Sequence, residues 1–453
     1  MNLSAQDEGE DLGAPQPPAP TWREALQFWL KLGFISFGGP AGQIAIMHQE
    51  LVERRRWISE SRFLHALNYC MLLPGPEAQQ LATYIGWLMH RTAGGLVAGI
   101  LFVLPSLLIL IGLSWIYMAF GEMPLIAGIF YGIKPAVAAI VFLAAWRIGL
   151  RVLKHRLLWA IAAASFVAIF ALNLPFPAIV AAAALFGYLA SRLVPQAFSN
   201  GKAAGQLASA NPALIDEGPR PAHTRFTWRR LVLVVAAGGA LWLLPMLALS
   251  LAFGWTHTWT QLGWFFTKAA LLTFGGAYAV LPYVYQGAVD HFGWLTALQM
   301  IDGLALGETT PGPLIMVVAF VGFVAAWGQT LLGPDHLFLA GALAAILVTW
   351  FTFLPSFVFI LAGGPVVEST HGELHLTAPL TAVTAAVVGV IANLALFFAY
   401  HALWPQGFAG SVDVFSLLLM LAAGVALFHF RQGVIAVIAA SAAAGLMAAW
   451  LAA

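Results

Sequence analysis

Charge is scarce in this sequence. Lys, Arg, Asp and Glu make up 9% of its 453 residues, against about 25% in an ordinary soluble domain. So few charges cannot cover a water-facing surface. With 61% hydrophobic residues and a mean hydropathy of +0.86, most of the surface must face lipid. Cysteine is nearly absent. Cys70 is the one thiol, which excludes a disulfide framework and a multi-cysteine metal site; a buried, inert thiol is expected. An intramembrane enzyme would need a nucleophile with its base, or a metal cluster. The chain has no His-Glu-x-x-His, no Gly-x-Ser-x-Gly and no Walker-type phosphate loop. His371 and His375 stand at i, i+4 spacing, but in a turn that reads as exposed surface. No catalytic residue, no metal and no cofactor is expected. The net charge of +1 says nothing about partners, and no nucleic-acid partner is expected.

What is present is a succession of apolar runs. A helix needs about 20 apolar residues to cross the hydrocarbon. Residues 95–120, 125–146, 157–172, 177–189, 231–253, 337–361, 380–400, 414–430 and 434–451 read as membrane helices. Residues 1–20 are acidic and proline-rich, with Asp7, Glu8, Glu10 and Asp11. They lack the basic and apolar regions of a signal peptide and are expected to form a disordered tail. Residues 194–230 are rich in Pro, Ser, Gly, Ala and charge, Lys202, Arg220, Arg225, Arg229 and Arg230 among them, and read as a cytoplasmic linker. The chain then divides into the tail, a first unit over 21–193, the linker, a linker helix over 231–258 and a second unit over 259–453.

The two units are copies. At a constant offset of 237 residues, Lys31 pairs with Lys268, Phe37 with Phe274, Gly38 and Gly39 with Gly275 and Gly276, and Trp57 with Trp294. Pro74, Gly75 and Pro76 pair with Pro311, Gly312 and Pro313 at the same offset. Chance does not readily align both motifs with a Trp and a Lys in register, so the chain is an internal duplication. Of its 20 Lys and Arg, only Lys268 and Arg431 follow position 230. The basic loops around Arg54, Arg55 and Arg56 and around Arg147, Arg151, Lys154 and Arg156 have counterparts, near 290–293 and 401–406, without Lys or Arg. Loops that lost their basic charge are expected on the other side of the membrane. The fold class is therefore all-α and polytopic, with two homologous, inverted repeats. The acidic turn at Glu368 and Glu373 fits this scheme poorly, because it falls on the cytoplasmic side.

Each repeat also holds a break. Residues 63–73 and 78–89 are too short to span alone, and Pro-Gly-Pro separates them; 297–306 and 314–327 repeat the pattern. Proline lacks an amide hydrogen and disfavours helix in the residue before it. Broken backbone at membrane depth is tolerated only inside protein or beside a watery cavity. Paired, interrupted segments at matching positions of two repeats point to a transporter's binding site. These stretches could be full spans, re-entrant hairpins or half-helices.

The residues that carry these breaks also carry a resemblance. FGGP at 37–40, a basic loop ending at Trp57, LLPGPEAQQLATYIGW at 72–87 and FVLPSLLIL at 102–110 resemble the chromate ion transporter family. TFGGAYAVLP at 273–282, ETTPGP at 308–313 and FLPSFVF at 353–359 are similar to the second half of its long-chain members, in which two homologous halves are fused. The resemblance covers nearly everything from Trp22 onward. It implies a multi-pass protein of the cytoplasmic (inner) membrane that exports chromate by secondary transport driven by the proton motive force and confers resistance. Sulfate, another tetrahedral dianion, or a different oxyanion remains an alternative substrate, and a passive anion channel an alternative mechanism. With one cysteine and no cofactor motif, reduction of chromate by the chain is not expected. Lipid is the other partner, and homodimerisation is left open.

A dianion inside a membrane must exchange its hydration shell for fixed donors. Helix N-termini offer free amides and the positive end of a dipole. Gly38, Gly39, Gly275 and Gly276, and the breaks Pro74, Gly75, Pro76 and Pro311, Gly312, Pro313, are expected to bring such amides around the oxyanion. Gln79, Gln80, Thr309 and Thr310 are candidate neutral donors. The plainer account is that the glycines only permit tight helix crossing. Lys134 sits mid-span before Pro135, as a fixed positive charge or as a lysine that snorkels or pairs with a carboxylate. Glu77, Glu308 and Asp302 are the candidates for proton coupling, since a carboxylate beside the anion repels it until protonated. His65 aligns with Asp302 at the repeat offset. For Glu77 the plainer account is an acid that stabilises a helix N-terminus. Arg147 and Arg151 read as topology determinants.

Overall fold

The computed structural model describes residues 20–37, 39–194, 222–274, 276–369 and 377–452. The tail at 1–19, most of the linker, Gly38, Gly275, His371, Glu373 and His375 lie outside the described residues. There is no β-strand among the described residues, and seven helices are long and apolar enough to cross a membrane.

The first repeat runs through α1 (Trp22–Ile35), α2 (Gly39–His48) with a π-helical turn at Gln49–Arg54, α3 (Glu60–Leu72), α4 (Glu77–Phe120), α5 (Pro124–Val152), α6 (Arg156–Phe170) and α7 (Phe176–Leu193). After α8 (Trp228–Phe253) the order recurs. It runs through α9 (Thr258–Leu272), α10 (Ala277–Tyr285) with a π-helical turn at Gln286–His291, α11 (Ala297–Thr309), α12 (Val317–Gly328), α13 (Leu337–Ser369), α14 (Thr377–Leu403), α15 (Val414–Phe428) and α16 (Val434–Ala452). The 237-residue offset holds at the element level: it maps both ends of α3 onto α11 and the first π turn onto the second. The caps are duplicated too. The Ser59 side chain accepts from the Arg62 amide, and the Thr296 side chain accepts from the Gln299 amide.

The interrupted segments fold back on themselves as helical hairpins. Phe28 and Trp57 meet edge to face at 5.4 Å between ring centroids, although a continuous helix would set them about 40 Å apart. Their equivalents, Phe265 and Trp294, do the same at 5.5 Å. The matched tryptophans therefore lock the return limb of the first hairpin onto its entry limb. Tyr69 on α3 reaches Tyr84 on α4, with centroids 5.8 Å apart, so this pair also folds back at its Pro-Gly-Pro tip. Helix α4 itself doubles over at His90 and Arg91, where the backbone leaves helical geometry. A Cβ on Gly86 would sit 2.6 Å from the Ala98 methyl, whereas twelve residues of straight helix span about 18 Å. The corresponding turn of the second repeat separates α12 from α13. Helix α12 is apolar all round and buried from Val317 to Ala326, as a helix at the centre of a bundle must be.

The repeats are interlocked and inverted. The Gly75 amide donates to the Thr273 carbonyl at 2.8 Å, and the Gly312 amide donates to the Ser36 carbonyl at 2.8 Å. These bonds are related by the 237-residue offset, so each Pro-Gly-Pro tip docks on the Phe-Gly-Gly break of the other repeat. The long helices are exchanged as well: α5 packs on α15 and α16, and α14 packs on α6 and α7. A Cβ on Gly149, near the end of α5, would lie 3.4 Å from Val388 in the first half of α14. Arg147 and Arg151 at the end of α5 also border the same cavity as Leu380, Thr381 and Thr384 at the start of α14, so these equivalent helices run antiparallel.

Candidate functional site

Four hairpin tips meet in the middle of the molecule. Gly39, Gly75, Gly276 and Gly312 all adopt positive φ, at 68°, 123°, 98° and 106°. That region is open to glycine at little cost and strained for other residues. The space around them differs. A Cβ on Gly75 would crowd Gln80 Nε2 at 2.7 Å, and one on Gly312 would crowd the Ser106 Cβ at 2.7 Å. A Cβ on Gly39 would meet nothing within 4 Å, and one on Gly276 only Pro40, at 3.8 Å. The Pro-Gly-Pro tips are packed, whereas the Phe-Gly-Gly breaks border open space.

That space is a cavity of about 1320 Å³. Gly39 and Pro40 at the start of α2, and Gly276, Ala277 and Tyr278 at the start of α10, line its inner end. Two helix N-termini from opposite repeats thus point into one volume, with free amides and positive dipole ends. Glu77 from α4 and Glu308 from α11 also line it. The Glu308 carboxylate is buried and accepts from the Tyr278 hydroxyl. His65, Asn68 and Tyr69 of α3, Thr381 and Thr384 of α14, and the paired His48 and Glu53 are further polar lining. On the wall made by α5 stand Arg147 and Arg151, with Lys154 beyond.

Among the expected site residues, Gly39, Gly276, Glu77 and Glu308 are brought together at the cavity. Pro74, Pro76, Gln79, Gln80, Thr309, Thr310, Pro311 and Pro313 are not among its lining residues and sit in or beside the packed tips. The Gln79 amide donates to Thr83 Oγ1 at 3.0 Å and the Gln80 amide to the Pro74 carbonyl at 2.8 Å. Thr309 and Thr310 both donate to the Leu306 carbonyl. Lys134 and Asp302 lie elsewhere. Lys134 Nζ is 3.5 Å from Asp302 Oδ2, which also accepts from the Tyr117 hydroxyl at 2.9 Å. This network is about 20 Å along α5 from Arg147, at 1.5 Å per residue.

Other residues escaped the sequence reading. Glu368 is no loop acid: it is buried, accepts from Arg62 Nη1 at 2.8 Å and accepts from the Tyr84 hydroxyl at 2.6 Å. Tyr278 and the place of Arg147 and Arg151 on the cavity wall were also missed. The signal for the arginines is their i, i+4 spacing, one helical turn apart, beside an apolar stripe of Phe142, Trp146 and Leu150. By contrast Arg54 pairs with Glu50 at 2.6 Å, Arg55 covers the Trp57 ring, and Lys268 lies over the Trp264 ring.

Comparison with known proteins matches a family model described as chromate transporter at residues 23–188 and 260–446. The chain is 33% identical over 442 residues to a chromate transport protein of Pseudomonas aeruginosa, covering 96% of this chain and 93% of that protein. It is 29% identical over 435 residues to a chromate transport protein of Cupriavidus metallidurans, covering 93% and 94%. It is 29% identical over 377 residues to a probable chromate transport protein of Synechococcus elongatus, covering 83% and 84%. No solved structure matches the chain.

Proposed function

The chain belongs to the chromate transporter family, and we propose that it carries chromate out of the cytoplasm across the inner membrane, driven by the proton motive force, and so confers chromate resistance. The observation that carries the reading is the convergence of two inverted repeats, through their helix breaks, on one cavity lined by arginine and carboxylate. Secondary transporters place substrate between such repeats. The amides that open α2 and α10 hold the tetrahedral dianion, whose four oxygens take the place of water. Glu77 and Glu308 tie its binding to pH, since ionised they repel it and protonated they do not; the drive for export is electrical, because protons leaving with the dianion would move against their own gradient. The electrical part of the driving force acts on the substrate directly. One charge moved through 100 mV is worth about 2.3 kcal/mol, so a negative interior drives an uncompensated dianion outward with roughly 4.6 kcal/mol per 100 mV.

The test is uptake of labelled chromate into inverted membrane vesicles, with and without a proton gradient and with excess sulfate. Gradient-dependent accumulation supports proton-driven export. Inhibition by sulfate marks a site that reads shape and charge alone. Equilibration without accumulation would make the protein a passive anion channel. Glu77→Gln and Glu308→Gln are expected to flatten the pH dependence of uptake; an unchanged profile in both removes the coupling role.

A further inference from the structure

Arg147 and Arg151 invite the plain explanation that basic residues gather at the cytoplasmic ends of membrane helices. Their placement on α5 argues for more. A snorkelling arginine lies on the lipid stripe and reaches along it toward the headgroups. The lipid stripe of this part of α5 is Phe142, Trp146 and Leu150, at 51%, 49% and 63% exposure. Arg147 and Arg151 occupy the neighbouring stripe, with Leu143 and Ala144, and line the cavity instead. Among the described residues neither has an ion-pair partner within 4.0 Å. Two cations one turn apart therefore face a cavity whose inner end holds two helix N-termini, with no carboxylate clamped on either.

We propose that Arg147 and Arg151 form the charge-selecting clasp of the anion site, binding a tetrahedral dianion between them and setting the preference for dianions over monoanions. This rests on the proposed transport of chromate and names the side chains that read the substrate's charge. Guanidinium groups suit the task because their planar fork of donors pairs with two oxygens of an oxyanion at once. A spherical or singly charged anion gains less from two such forks. Glu77 and Glu308 line the same cavity and offset part of the clasp's charge from a distance. They compete with the substrate for the arginines across the cavity without contacting them.

The experiment uses the full chain, as wild type and as Arg147→Gln, Arg151→Gln and the double variant, with Arg192→Gln as a basic control outside the cavity. Two readouts are taken: chromate uptake into inverted vesicles, competed by sulfate or by perchlorate, and thermal stabilisation of the detergent-solubilised protein by sulfate at fixed ionic strength. Each single variant is expected to raise KM for chromate by about tenfold, the loss of one charge-assisted hydrogen bond. The double variant is expected to lose stabilisation by sulfate and to let perchlorate compete as well as sulfate does. Arg192→Gln should match the wild type. Folded Arg147→Gln and Arg151→Gln proteins with wild-type KM and an intact preference for sulfate over perchlorate would overturn the clasp while leaving chromate transport standing. A wild type that neither takes up chromate nor responds to sulfate would overturn both.

Discussion

Among single residues, Lys134 and Asp302 show how one charge in an apolar helix can be structural. Their contact at 3.5 Å, with Tyr117 on the same carboxylate, ties α4, α5 and α11 together. Asp302 is 2% exposed and its Oδ1 lacks a described partner. Removing the cation strands a buried carboxylate, which costs up to about 3–5 kcal/mol, and less here because the Lys134 side chain is 23% exposed. Lys134→Met should therefore lower thermal stability clearly. Lys134→Met with Asp302→Asn should recover much of the loss, because no ionised group is then left unpaired. A double variant as unstable as the sum of the two singles would contradict the pairing. The sequence named Lys134 and Asp302 but not their contact, since they lie on helices far apart in the chain. Glu368 was unreadable for the same reason: its partners Arg62 and Tyr84 belong to the other repeat.

At the scale of elements, the unit of this fold is a helical hairpin that turns back at a break. An apolar stretch of ten to fourteen residues reads equally well as half a span or as a hairpin limb, so the sequence left this open. The ring contact of Tyr69 with Tyr84 shows the first such pair folding back at its Pro-Gly-Pro. The breaks themselves were legible, because Pro-Gly-Pro inside an apolar run can only interrupt a helix. Their docking on the opposite repeat was not, because a backbone amide meeting a backbone carbonyl leaves no mark in the side chains. Gly75 and Gly312 can be tested as a pair. Both hold positive φ, and a Cβ at either would strike the other repeat, at Ser356 and Ser106 respectively. Gly75→Ala and Gly312→Ala should each destabilise by about 1–3 kcal/mol, the usual cost of a strained backbone, read as a lower melting temperature of the purified protein. Gly239→Ala, at a glycine of α8 with nothing within 4 Å of the added Cβ, should not. Equal tolerance at all three positions would mean that the tips are not interlocked.

For the whole molecule, the duplication, the helical class and the inverted orientation were legible in the repeat offset and in the loss of basic residues after position 230. In the orientation proposed from the positive-inside rule, the Arg54 and Arg147 ends face the cytoplasm, and the cavity lies at that end. It is bounded inward by the hairpin tips, with the Tyr117–Asp302–Lys134 network beyond them. We propose that the two inverted repeats meet at an anion cavity open to the cytoplasm. The most direct measurement is sided labelling of a single cysteine placed there. Cys70 is buried and would be replaced by alanine, and Ala144, a lining residue of the cavity, would become the new cysteine. The probe is a membrane-impermeant maleimide, with sulfate or molybdate as the ligand, since chromate would oxidise the thiol. Rapid labelling is expected in inverted vesicles and little in right-side-out vesicles, with slowing by either dianion but not by perchlorate. Labelling from the outer face alone, or labelling that neither dianion slows, would contradict it.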